Sequence, residues 1–237
     1  MRRCLALAAL VASAAAHADH PLITEDTGVL GAGVWQIELH GERVRDGGAR
    51  RTHLGATLGR GVTERLDLQL DLPYERLEHE SGLQDVSLAT KWRFFQRGGT
   101  SAMLKPELSL PTGREQDGLG AGRVGWSAGA ALAQQWRSFE LIGHLRYTAN
   151  RNRVGEREAL RHASAALVWS AAERLRLVLD YARDTSPDPA RSAPERTLVL
   201  GALFALSDTA ELGIGQAQGR SASAEDRSLR AGVKLRW

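Results

Sequence analysis

One cysteine, Cys4, is all the thiol this 237-residue chain carries. It lies in a segment expected to be removed, so no disulfide, thiolate nucleophile or cysteine-based metal site is expected in the mature protein. Long apolar runs are also missing. Past residue 18 nothing approaches the roughly 18–20 residues of a membrane-spanning helix, which excludes a helical membrane protein. It does not exclude a membrane β-barrel, whose hydropathy signal is far weaker. An excess of one charge is missing too. The chain has 31 basic and 28 acidic side chains. Arg2 and Arg3 are the basic residues of the first eighteen, so 29 basic residues remain against 28 acidic ones. The sequence pI of about 9.4 therefore gives little reason to expect nucleic acid as a partner. Only Lys91, Lys105 and Lys234 are lysines, and aromatics make up 5% of the chain, although six of them are tryptophan. With 43% hydrophobic and 25% charged residues, the chain is not a disordered tail.

Met1-Arg2-Arg3 is a short basic region, Leu5 to Ala16 a small-residue apolar stretch, and Ala16-His17-Ala18 an A-x-A cleavage signal. Together they predict a secretory signal peptide over 1–18 and a mature start at Asp19. Cys4 precedes the apolar stretch, which does not fit a lipoprotein signal. Arg2-Arg3 lacks the remainder of a twin-arginine motif.

The apolar period that follows is two. Leu66, Leu68, Leu70, Leu72 and Tyr74 alternate with Asp67, Gln69, Asp71 and Pro73. Leu175, Leu177, Leu179 and Tyr181 alternate with Arg174, Arg176, Val178 and Asp180, and Leu229 to Trp237 repeats the pattern. A strand puts such a set on one face and a helix does not. Extended along the chain, the reading gives about twelve strands: 33–44, 50–60, 65–76, 84–95, 100–111, 124–136, 138–150, 159–171, 173–184, 195–207, 209–217 and 227–237. Short connections alternate with longer polar ones, of which 112–123 is the longest. The fold class expected is all-β, a single up-and-down antiparallel transmembrane β-barrel, with the even strand count letting first and last strands close. Three places fit poorly. The strand over 195–207 is apolar on both faces (Leu198, Val199, Leu200, Leu203, Phe204), the strand over 209–217 is short and glycine-rich, and Pro106 falls inside a strand, where either a local bulge or a different strand assignment is expected.

Alternation does not say which face is wet, but aromatics and charges do. Tyr74, Tyr147, Tyr181 and Trp126 fall at the long-loop ends of their strands. Trp35, Trp92, Trp136, Trp169 and Trp237 fall at the short-turn ends, with Phe94, Phe139 and Phe204. Two aromatic rings separated by Leu, Ala and Val read as interfacial girdles. The opposite face carries Glu38, His40, Arg230 and Lys234 and, along the middle of the strand set, Lys91, Arg93, Lys105, Glu107, Glu140, His144, Arg146, Arg176 and Asp180. A dry core would reject so many ions, and a wet lumen tolerates them. The latter nine are the candidate lumen-lining residues. Arg93, Lys105, Arg146 and Arg176 are expected to pair with Glu107, Glu140 and Asp180 and partly fill the bore. The terminal strand ending at Trp237 resembles the assembly signal of bacterial outer-membrane proteins, which makes the barrel-assembly machinery an expected partner.

Several stretches carry a family resemblance together: His20-Pro21-Leu22-Ile23-Thr24-Glu25-Asp26-Thr27-Gly28, Gly61-Val62-Thr63-Glu64-Arg65-Leu66-Asp67-Leu68, Lys91-Trp92-Arg93-Phe94-Phe95, and Lys105 to Gly113 followed by Gly118 to Arg123. They resemble the outer-membrane barrel family named after a phenol meta-degradation pathway. The resemblance covers most of the mature chain. It implies a Gram-negative outer-membrane barrel passing small compounds, aromatic or hydrophobic ones among them.

Catalytic and cofactor signatures are weak. Gly118 to Gly122 lacks the spacing, lysine and strand–loop–helix setting of a phosphate loop. Leu110 to Gly113 falls one residue short of a sortase motif. His162 and Ser164 share a strand face, and at that separation no direct hydrogen bond is expected. His17, His20 and Asp19 read as an ordinary N-terminus, not a metal site. The expectations are no enzyme activity, no cofactor and no metal. Residues 19–32 are expected to form an N-terminal periplasmic segment and 33–237 the barrel, set in outer-membrane lipid. The function expected is passive passage of small solutes. A non-conducting structural or adhesive barrel, a lipid-acting barrel hydrolase and a secreted soluble barrel are the alternatives.

Overall fold

The computed structural model describes residues 20–46, 49–76, 80–222 and 224–237, so the expected signal peptide lies outside the described residues. Thirteen strands follow one another: β1 (Trp35–Asp46), β2 (Ala49–Thr63), β3 (Leu66–Arg76), β4 (Ser81–Leu83), β5 (Val86–Arg97), β6 (Thr100–Leu110), β7 (Gly125–Trp136), β8 (Phe139–Ala149), β9 (Ala159–Ala172), β10 (Leu175–Asp184), β11 (Glu195–Ala205), β12 (Ala210–Gly219) and β13 (Arg227–Arg236). Each long strand pairs antiparallel with its neighbours, and β1 pairs with β13 from Gln36↔Arg236 to Arg45↔Arg227. That pairing closes a twelve-stave barrel. The three-residue β4 is a flap on the end of β3. Closure satisfies both edges, which a chain without disulfides needs.

Turn chemistry explains the short connections. Gly98 and Gly99 both have positive φ, as the tight hairpin between β5 and β6 requires. Arg137 takes a φ of 53° in the two-residue turn joining Trp136 to its partner Phe139, a conformation that favours glycine.

The expected bulge at Pro106 is not there. Pro106 stays in register with Ala128 of β7. On its other side the β5–β6 ladder skips the rungs between Ala89↔Glu107 and Trp92↔Leu104. A residue without an N–H removes rungs without inserting a residue. The register shift lies further along, between Arg93 and Phe95.

The apolar face points out. Leu68 is 49% exposed, Leu177 37% and Leu145 65%, and Leu39, Leu104, Leu132, Leu200 and Leu229 on other staves are exposed as well. A water-soluble barrel would carry these side chains inside. The buried set is the polar phase of the same strands, including Glu38, Asp67, Lys91, His144, Asp180 and Lys234.

Candidate functional site

The inward face encloses more than side chains. Residues 20–32, left on the periplasmic side by the sequence reading, run inside the bore and touch its wall on all sides. The Leu30 N–H donates to Asp67 on β3 at 2.9 Å. Thr27 and Ser101 of β6 share a hydroxyl hydrogen bond of 2.6 Å. Glu25 reaches Lys91 on β5 at 2.9 Å and Lys105 on β6 at 2.8 Å, and Asp26 also binds Lys91. Across the bore, Asp180 on β10 accepts the N–H of Ile23 at 2.6 Å, the N–H of Thr24 at 2.9 Å and the Thr24 hydroxyl at 2.6 Å. Arg230 on β13 donates to the Pro21 carbonyl at 2.9 Å, and the His20 N–H donates to Glu38 on β1 at 3.1 Å.

Apolar packing seats the same segment. Leu22 packs in a cluster with Ala133, Ile142, Ala166, Val168, Val178 and Leu203, the inward residues of β7 to β11. This accounts for β11 being apolar on both faces: Val199 and Leu203 are buried inside, while Leu200 faces out. The glycines of β12 have a matching cause. A Cβ on Gly213 would stand 1.8 Å from the His20 carbonyl oxygen, and one on Gly215 2.5 Å from Pro21. Gly201 and Gly232 meet Pro21 and His20 in the same way. The wall is shaved to backbone where the segment lies against it.

The segment lines the space on either side of itself. A cavity of about 340 Å³ at the short-turn end is lined by Thr27 to Gly31 with Arg93, Glu140 and Arg176. One of about 400 Å³ at the long-loop end is lined by Ile23 with Glu42, Arg51, Ser186 and Arg230. Loop 112–123 lines neither of them. Its Gly113 and Ala121 N–H groups bind Asp85, and Arg153 in the next loop binds Glu115.

The nine lumen candidates occupy the inner face in different roles. Lys91, Lys105 and Asp180 anchor the segment, and His144 Nδ1 accepts the Glu25 N–H at 3.5 Å. Arg93, Glu140 and Arg176 line the short-turn cavity, where Arg93 donates to the Glu64 carbonyl. Arg176 pairs with Glu211 of β12. Glu107 and Arg146 sit opposite Ser127 and Gly129 on the staves flanking the segment. The expected pairing among the wall residues themselves is thus largely replaced: Lys105 and Asp180 take their partners from residues 23–25, and Arg176 takes Glu211. Sequence reasoning placed Arg230 on the inward face without a role and missed Thr24, Glu25, Asp26, Asp67 and Glu211. One hint was that His20 to Gly28 carried part of the family resemblance.

Of the girdle candidates, Trp92, Trp126, Trp136, Tyr147, Trp169, Tyr181 and Trp237 are exposed, and Trp35 and Tyr74 are half-buried. Trp126 packs on Tyr147 at 5.7 Å between ring centres, and Phe139 stacks on Trp169 at 6.1 Å.

One expectation fails outright. His162 and Ser164 are in contact: His162 Nε2 lies 2.9 Å from the Ser164 hydroxyl, and Nδ1 lies 2.7 Å from Asp184 on β10. A two-residue offset along a strand is close to 7 Å between backbones, but the imidazole leans along the strand and spans it.

The family profile described as "Putative MetA-pathway of phenol degradation" matches residues 18–237. The chain belongs to this family. Its match spans the threaded segment as well as the barrel. No curated protein sequence matches the chain. Among solved structures, this family member is similar to the COG4313 outer membrane channel from Pseudomonas putida F1, with a TM-score of 0.69 and 14% identity over 90% of this chain and 98% of that one. It is also similar to the KdgM porin, with a TM-score of 0.60 and 6% identity over 84% of this chain and 98% of that one. At such identities the likeness is one of fold.

Proposed function

We propose that the protein is exported by residues 1–18, inserts in the bacterial outer membrane and passes small solutes passively through a bore narrowed by its own N-terminal segment. The observation that carries this reading is the inverted barrel, with an apolar face exposed on every side and charged groups lining a bore with a cavity at each end. The similarity to an outer membrane channel and to a porin supports it. An ion-lined wall stabilises solutes carrying charge or hydroxyl groups better than bare hydrocarbon. Ionised or hydroxylated aromatic compounds fit both the wall and the family's description. The test is purification from outer-membrane fractions followed by planar-bilayer recording and solute uptake into liposomes. Conductance and uptake support the proposal. Correct insertion with neither would favour a closed structural barrel, and recovery as a soluble protein would reject the membrane assignment.

A second reading rests on the Asp184–His162–Ser164 chain of hydrogen bonds, which has the order of an orienting acid, a base and a nucleophile. Its position on the inner wall points away from lipid, so any substrate would be a solute in the bore. Covalent labelling of the folded protein by a fluorophosphonate, lost in Ser164→Ala, would support this reading. Absence of labelling would leave the three residues as a hydrogen-bonded brace.

A further inference from the structure

Where the threaded segment meets β1, three side chains of metal-ligating type converge. His20 comes from the segment, and Glu38 and His40 come from adjacent inward positions of β1. One ligand atom of each lies within 4.8 Å of the others. His20 Nδ1 is 3.5 Å from a Glu38 oxygen, and the two imidazoles stack with centres 4.2 Å apart and planes 7° apart. His40 Nδ1 is buried and has no hydrogen-bond partner among the described residues. The wall makes room for the pair: a Cβ on Gly55 would stand 2.1 Å from His40 Nε2, and one on Gly232 would stand 2.8 Å from the His20 Cβ. Glu38 and His40 line a small cavity of about 150 Å³ within the bore.

We infer that His20, Glu38 and His40 form a site for a borderline transition-metal ion, with Zn²⁺ as the type, that fastens the N-terminal segment to the barrel wall. Two imidazole nitrogens and one carboxylate are the donor set that zinc and its neighbours take, leaving a fourth position for water or a solute; calcium and magnesium prefer all-oxygen sets. Imidazole lone pairs lie in the ring plane, so two parallel rings do not aim at one ion. Ligation turns one ring out of the stack, and the unpartnered His40 Nδ1 gains a partner when it does. Because one ligand belongs to the segment and two to the wall, the ion favours the seated state over the released one. This inference extends the proposed channel reading, but its primary test does not depend on conduction.

The test is titration of the folded, metal-stripped barrel in detergent with Zn²⁺ by calorimetry, and with Co²⁺ by visible absorption, where a four-coordinate site gives intense bands. Wild type is expected to bind one equivalent with tetrahedral-type Co²⁺ bands. His20→Ala and His40→Gln are each expected to weaken binding at least a hundredfold, with heat-modifiable gel mobility showing that both remain folded. No stoichiometric binding by wild type, or binding unchanged in His20→Ala and His40→Gln, would overturn the inference. Where the barrel conducts, Zn²⁺ should also lower the conductance of wild type and not of His40→Gln. Zn²⁺ bound at one equivalent without slowing thiol labelling of Leu22→Cys would overturn the fastening role.

Discussion

Asp180 offers the sharpest single perturbation of the threaded segment. Its carboxylate is fully buried and accepts three hydrogen bonds from Ile23 and Thr24. Hydrogen bonds to a charged group contribute roughly 1.5–3 kcal/mol each. Water in the bore re-solvates the freed donors, so each bond counts for somewhat less than that, about 1–1.3 kcal/mol, and Asp180→Ala should weaken local seating by about 3–4 kcal/mol, with 1.4 kcal/mol for each factor of ten. Release of residues 22–25 should rise about 10²–10³-fold, while Lys91 and Lys105 still hold Glu25 and Asp26 and Asp67 still holds Leu30. The assay is thiol labelling at Leu22→Cys, a position 8% exposed in the parent. When opening and reclosing are fast, the labelling rate follows the open population. The rate should climb by two to three decades in Asp180→Ala and by less in Asp180→Asn, which keeps one acceptor oxygen. Equal rates in parent and Asp180→Ala, with both barrels folded, would refute the claim that this carboxylate seats the segment.

Other outcomes follow from the same geometry. Leu177→Arg should impair assembly more than Arg176→Leu, because position 177 faces outward, where an arginine at membrane mid-depth costs roughly 2–4 kcal/mol; folding yields in lipid vesicles check this, and the reverse order would invert the faces. Gly213→Val should unseat the segment without breaking the barrel, since its Cβ meets the His20 carbonyl at 1.8 Å; faster labelling at Leu22→Cys with unchanged gel mobility is the expected pair of results. Neutralising Arg93 and Arg146 together should move ion preference toward cations, read as reversal potential under a salt gradient, because fixed positive charges on a low-dielectric wall concentrate anions. Arg137→Gly should raise the thermal unfolding midpoint, since its positive φ costs a residue with a Cβ about 1 kcal/mol.

The barrel was legible in the sequence because alternation, turn residues and aromatic placement are local signals, and each stave repeats them. The strands found differ from those expected by a few residues at their ends. The segment inside the bore was not legible, since no periodicity marks a stretch held by contacts from strands all round the barrel. Its trace was nonetheless present as the two places where alternation failed. The apolar inner face of 195–207 and the glycines of 209–217 looked like poor strand sequence. In the folded chain they are the seat for Pro21 and Leu22. The contact between His162 and Ser164 was missed for a simpler reason: backbone spacing was used where side-chain reach decides.

In the proposed channel the N-terminal segment is the narrowing element of the bore. Single-channel conductance of the full barrel against one lacking residues 20–31, in the same bilayer and salt, tests that directly. The deletion is expected to raise conductance severalfold, as two cavities of about 340 and 400 Å³ join into one path. Equal conductance in the two proteins, with both inserted and folded, would contradict it.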